Sequence, residues 1–204
     1  MRSAAAFRTG PLSPVLRGPL LQAQASPPLR IVQTAYVVVD IDDAIARWHR
    51  AFGLGPFIVR RHIRLVESRY HGRAMPLDIS AAHVQAGEMQ IELVCQHNPE
   101  PSAFRDMFAP GEEGLHHVAM FPEDYAATVA HYGSRGFPVA TELVTGERRG
   151  AAYIDTRPLM GHMLEVYRVN ESLHAFYRFI ADAAREWDGR ELVIEVDNGS
   201  NAGR

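Results

Sequence analysis

The sequence predicts an α+β fold of two tandem βαβββ modules followed by a C-terminal helix, and three observations carry that reading. A short pattern occurs twice: Gln33-Thr-Ala35-Tyr opens one copy that ends on Gln90-Ile-Glu92-Leu-Val, and His117-Val-Ala119-Met opens another that ends on His162-Met-Leu-Glu165-Val. Each opening segment runs into a helical stretch that closes on glycine, Gly53 and Gly55 in the first copy and Gly136 in the second. Beyond residue 170 a separate amphipathic stretch stands outside the repeat.

The elements follow in order. Ile31 to Asp40 is β-branched and apolar, as a buried strand requires. Asp42 and Asp43 are expected to cap a helix whose Ile45, Trp48 and Phe52 keep helical spacing. Phe57 to Val66 reads as a strand and 67–76 as a long loop. Asp78 to Ala86 and Met89 to Gln96 make a hairpin around Gly87-Glu88. A proline-rich linker with a short helical turn, 97–113, separates the modules, 31–96 and 114–169. In the second module Leu115 to Phe121 is a strand, and Pro122-Glu123-Asp124 starts a helix with Tyr125, Val129 and Tyr132 on one face. Phe137 to Thr145, Ala151 to Thr156 and Met160 to Val169 are the remaining strands. The two modules make one domain, 30–170, and 171–204 is a helix (Leu173 to Trp187) with a tail that includes a stray strand, 192–196.

Composition narrows the function. With 47% hydrophobic and 22% charged residues and a formal net charge of −3, the 204-residue chain has the make-up of a soluble globule with no electrostatic case for nucleic acid. No apolar run reaches the roughly 18 residues that cross a bilayer. The single cysteine, Cys95, excludes an intrachain disulfide and a thiolate zinc cluster, and points to a reducing, cytoplasmic setting. All 21 basic side chains are arginine, so lysine Schiff-base chemistry and a phosphate-loop lysine are out. Residues 1–29 hold Arg2, Arg8, Arg17, five prolines and no acid. They read as a disordered extension or a start codon placed too early, with a transit peptide as the alternative.

The repeat also carries the candidate chemistry. Gln33, Glu92, His117 and Glu165 sit at matching places, one nitrogen- or oxygen-bearing group early and one carboxylate late in each copy. An imidazole, two carboxylates and an amide oxygen suit Zn, Ni, Co, Mn or Fe(II). Glutamate inside Ile-Glu-Leu-Val is costly to bury ionised unless something pairs it. Alternation puts Gln33 with Ala35 and Val37 on one face, and His117 with Ala119 and Phe121. A two-residue turn at Gly87-Glu88 pairs Ala86 with Met89 and therefore His83 with Glu92, and a similar count sets Tyr153 opposite Glu165. His116 points to the other face and reads as structural. The arginines Arg60, Arg61, Arg64, Arg69 and Arg73 read as solvated surface.

These residues resemble the vicinal oxygen chelate superfamily, which includes glyoxalase I, methylmalonyl-CoA epimerase, extradiol dioxygenases and bleomycin-resistance proteins. The resemblance covers about residues 31–168 and rests on Ile-Val-Gln33-Thr-Ala-Tyr, Gln90-Ile-Glu92-Leu, Gly114-Leu-His116-His117-Val-Ala and Gly161-His-Met-Leu-Glu165-Val. It implies a glyoxalase-like cup around a divalent metal held by Gln33, Glu92, His117 and Glu165. It further implies a lyase, isomerase or epimerase that forms a metal-bound enolate from a small carbonyl or thioester substrate. Glu165 corresponds to the base, Glu92 to its partner on the other face, and His83 is a further candidate proton carrier. The alternatives are a non-catalytic small-molecule binder of the same fold and a ring-cleaving dioxygenase, which Gln33 and the second carboxylate disfavour. The apolar face of the last helix (Leu173, Phe176, Tyr177, Ile180) suggests a homodimer or a cover for the outer sheet face.

Overall fold

The structure, a computed structural model, describes residues 27–197. Most of the N-terminal extension and the last residues of the tail lie outside them. The first half runs β1 (Ile31–Val37), α1 (Ile41–Phe52), β2 (Phe57–Arg60), β3 (Leu65–Tyr70), β4 (Arg73–Ala74), β5 (Ile79–Ala86) and β6 (Met89–Gln96). The second runs β7 (Gly114–Met120), α2 (Tyr125–Gly133), β8 (Val139–Thr145), β9 (Gly150–Ile154), α3 (Arg157–Met160) and β10 (Met163–Arg168). Then come α4 (Glu171–Glu186) and β11 (Val193–Glu195).

All strands join one curled sheet in the order β11-β2-β5-β6-β1-β7-β10-β9-β8-β3-β4. Two equivalent arcs, β2-β5-β6-β1 and β7-β10-β9-β8, meet where β1 pairs antiparallel with β7. Alternation then decides what each face buries. On the convex side Phe57, Val59, Val84 and Leu93 pack under Ile41, Ala44 and Ile45 of α1. Tyr125, Val129 and Tyr132 of α2 cover Met120, Ile154 and Leu164 in the same way. Each of the fully buried large side chains contributes about 1.5–3 kcal/mol.

Asp40, one residue before α1, is its N-cap: the backbone there is extended and the side chain accepts from the Asp43 amide at 2.8 Å. Asp42 and Asp43, expected to cap, lie instead in the first turn, where negative charge faces the positive helix end.

The expected strand 57–66 is broken. The chain turns at His62, a non-glycine residue with φ 45°, and leaves its own module. Much of the expected loop 67–76 is a hairpin, β3–β4, with β3 paired antiparallel to β8 at Ser68↔Leu143. The free edge of the second arc offers unpaired backbone groups, and this insertion satisfies them. At the other edge, the stray strand is β11, parallel to β2. A single turn, α3, follows β9, and the strand expected from Met160 begins at Met163.

The last helix differs most from expectation. α4 lies inside the curl rather than on the outer face: Phe176 and Ile180 pack on Ile58, whose side chain points away from α1. Leu173, Phe176 and Ile180 are buried within the chain. The apolar stripe invoked for a homodimer is therefore consumed internally, because the concave sheet face has apolar surface of its own to bury.

Candidate metal centre and its cavity

The strand register assembles the centre in two neighbouring rows. One row crosses the sheet as Glu92, Ala35, His117 and Met163; the next as Gln90, Gln33, Ala119, Glu165 and Tyr153. Ala35 stands between Glu92 and His117, and Ala119 between Gln33 and Glu165. A methyl group at each of those places leaves room for the flanking polar side chains to lean together. They do: His117 Nε2 lies 3.1 Å from Glu165 Oε2 and 3.4 Å from Glu92 Oε2. One ligating atom from each of Glu92, His117 and Glu165 falls within 4.8 Å of the others.

Gln33 is fully buried on the same sheet face, but its Oε1 accepts from the Tyr167 hydroxyl at 2.8 Å and its Nε2 has no partner. Glu92, His117 and Glu165 thus converge, while the amide is held by a tyrosine that sequence reasoning did not assign. The hairpin register puts His83 opposite Glu92, with Nε2 3.4 Å from Glu92 Oε1, and the second hairpin puts Tyr153 opposite Glu165, both as expected.

His116 departs from simple alternation. Ala35 pairs with His117 while Tyr36 pairs with Leu115, so His116 is the extra residue of a β-bulge. The bulge swings its ring to the side of His117: the two Nδ1 atoms are 2.8 Å apart, and His116 Nε2 is 2.9 Å from the Ala103 carbonyl. A carbonyl only accepts, so His116 Nε2 carries a proton. Burial, helped by the charge on His117, pushes His116 down to about 3 and keeps it neutral. Its Nδ1 must then accept from His117 Nδ1–H, which turns Nε2 of His117 toward the carboxylates.

Electrostatics ties the group together. Burial alone would lower His117, but Glu165 and then Glu92 outweigh it and raise the imidazole to about 9. Burial would raise Glu92, yet His117 and His83 hold it below the usual carboxylate range. His117 Nε2 and Glu165 Oε2 form an ion pair at 3.1 Å, with Glu92 3.4 Å from the same nitrogen, but neither of the two atoms has a hydrogen bond. Buried atoms left in that state fit a shared cation: a nitrogen and two carboxylate groups of one open donor set. Among the described residues a second group, His62, Asp78 and His97, lies near the surface and bonds within itself and to Ser80.

The centre opens into a cavity of about 70 Å³. Glu92, Glu165 and His83 line it from the sheet, and Leu173, Phe176 and Tyr177 of α4 roof it. The Phe176 ring stands perpendicular to His83 at 5.1 Å. Arg60 and Arg149 also face this cavity, although Arg60 was expected in solvent. A signal existed for Arg60: it is in phase with Ile58, the concave-facing residue of β2. Arg61 and Arg69 do lie at the surface, paired with acids.

Residues 32–154 match the model of the Glyoxalase/Bleomycin resistance protein/Dioxygenase superfamily. Similar solved structures include methylmalonyl-CoA epimerase from Mycobacterium tuberculosis, at 17% identity over 71% of this chain and 91% of that one, with a TM-score of 0.46. A hypothetical protein from Bacillus halodurans shows 16% identity over 70% and 95%, TM-score 0.49. A Streptomyces coelicolor methylmalonyl-CoA epimerase shows 15% over 68% and 95%, TM-score 0.42. No curated protein matches the chain. No helix among the described residues is long and apolar enough to cross a membrane. With a family model matched over more than half its length, on a sheet of two equivalent arcs, the chain belongs to the Glyoxalase/Bleomycin resistance protein/Dioxygenase superfamily.

Proposed function

We propose that the protein is a divalent-metal-dependent isomerase, epimerase or lyase that removes a proton next to a carbonyl group. The observation that supports it best is the convergence of Glu92, His117 and Glu165 with His117 Nε2 and Glu165 Oε2 lacking hydrogen-bond partners. Gln33, with its amide beside Glu165 across Ala119, is the fourth candidate ligand. A bound dication would stabilise negative charge developing on the substrate carbonyl oxygen by several kcal/mol.

The chain's own groups account for the proton. Glu165, on the wall of the cavity, takes the α-proton while the C–H electron pair moves toward the carbonyl oxygen. His83, oriented by Glu92 at 3.4 Å, belongs to the other module and is placed to carry a proton to or from the opposite face. Delivery from that side inverts the carbon, whereas return from Glu165 does not. Tyr167 keeps Gln33 in place, and α4 covers one side of the cavity.

The test has two parts. Protein purified without chelator should carry metal, and Glu92→Gln/Glu165→Gln should not; equal metal content in both would end the proposal. With a panel of small carbonyl compounds in D2O, wild type should wash deuterium into the α-position and metal-loaded Glu165→Gln should not. Persistent exchange in that variant would transfer the role to Glu92 or His83.

A further inference from the structure

The cavity holds a charge that the proton-transfer site does not use. Arg60 and Glu147 are almost wholly buried, and one guanidinium nitrogen of Arg60 donates to both Glu147 oxygens at 2.9 and 3.0 Å. This pair joins the end of β2 to the turn between β8 and β9, and it satisfies Glu147. Arg149 is then surplus. Its side chain is only 12% exposed, its Nη2 stays 3.6 Å from Glu147, and its Nε has no partner. Burial, and then the charge on Arg60, press Arg149 down to about 10, so it stays charged at neutral pH.

Two guanidiniums therefore share one carboxylate inside a cavity roofed by a helix. A buried cation with only a shared counter-ion is costly, and a ligand anion lowers that cost. The surroundings suit a small organic acid. Arg149 stacks on Phe176 with its guanidinium carbon 4.6 Å from the ring centre, which fixes its plane. Ile63, Leu65 and Thr145 complete the wall. Arg149 lies four residues before Tyr153, the partner of Glu165, which is ~13 Å along a strand, and a long arginine side chain shortens that gap. Arg60 is two residues from Ile58, the partner of His83.

We propose that Arg149, assisted by Arg60, is a binding site for the carboxylate of a small organic acid whose carbonyl end reaches Glu92 and Glu165. The substrate class is thus a small oxo-acid. Naming it as substrate rests on the proton-transfer reading above; the anion site itself does not.

The experiment uses the full chain stripped with chelator, so that a failure of the metal reading leaves it untouched. Malonate and inorganic phosphate are titrated by calorimetry into wild type, Arg149→Met and Arg149→Lys. Arg149→Met keeps an unbranched apolar side chain against Phe176 and drops the guanidinium with its charge and donors. Malonate should bind wild type, bind Arg149→Met at least tenfold more weakly, and recover in part with Arg149→Lys. Equal malonate affinity in wild type and Arg149→Met overturns the site. Phosphate binding more tightly than malonate overturns the carboxylate assignment.

Discussion

The two modules share one strand plan and part ways in what fills it. In the second module the candidate ligand on the opening strand is His117, backed by His116 in a bulge and by the Ala103 carbonyl. In the first it is Gln33, held by Tyr167 from the other module. The second module turns from β8 to β9 within residues 146–149, whereas the corresponding connection in the first leaves as β3–β4 and pairs with β8. Each half is thus finished by the other: the first donates a hairpin to the second's open edge, and the second donates a clamp to the first's buried glutamine. A duplicated sheet supplies a symmetric frame, and the departures from symmetry supply the site's chemistry.

The largest expected effect sets His117 against Gln33. His117→Ala removes the imidazole on which both carboxylates converge, and metal loading should fall to background. Gln33→Ala removes a group already bonded to Tyr167, and metal should still bind. His116→Phe should lie between, weakening metal about 10–100-fold because it removes the acceptor that fixes the His117 tautomer. Metal titration by competition with a coloured chelator reads all three. If Gln33→Ala loses as much metal as His117→Ala, the amide is an equal ligand and the asymmetry disappears.

The parts legible in the sequence were those governed by local rules. Alternation and a two-residue turn sufficed to set His83 opposite Glu92, and the repeat located the β-strand bearing each candidate ligand. What stayed hidden depends on non-local pairing. His116 was assigned to the wrong side because a bulge breaks the period of two, and nothing in Leu-His-His-Val announces a bulge. The β3–β4 hairpin forms because β8 has an open edge, which residues 65–74 cannot reveal alone. α4 showed its apolar stripe plainly, but not which surface would take it.

That helix supplies the next test. Ile180 is 1% exposed and packs with Phe176 against Ile58, so Ile180→Ala should cost about 2–5 kcal/mol in chemical denaturation. Leu164→Ala, under α2 in the second module, should cost a similar amount. The comparison sharpens on cooperativity. If α4 is an integral roof, both variants unfold in one transition; a loss below 1 kcal/mol for Ile180→Ala would mean that the first module stands without its roof.

The smallest effect probes the symmetry that survives. α1 and α2 begin in the same way: an aspartate in extended backbone, Asp40 at φ −137° and Asp124 at φ −135°, accepts from the amide three residues on at 2.8 and 2.9 Å. Both side chains are solvated, so neither cap gains from a dry environment. An N-cap replaced by alanine typically loses about 1 kcal/mol, since one helix-end amide is left to water. Asp40→Ala and Asp124→Ala should therefore each cost about 1 kcal/mol, and asparagine at either place only a few tenths. α1 has further support from Arg47, which bridges Asp43 and Glu113, but that bridge does not involve Asp40 and should leave its cost unchanged. Equal losses in urea denaturation would show that the duplicated helices still obey the same local physics. A loss at Asp40 several times that at Asp124 would mean the first module's helix is coupled to the linker through Glu113, whose oxygen also accepts from the Val39 amide next to the cap.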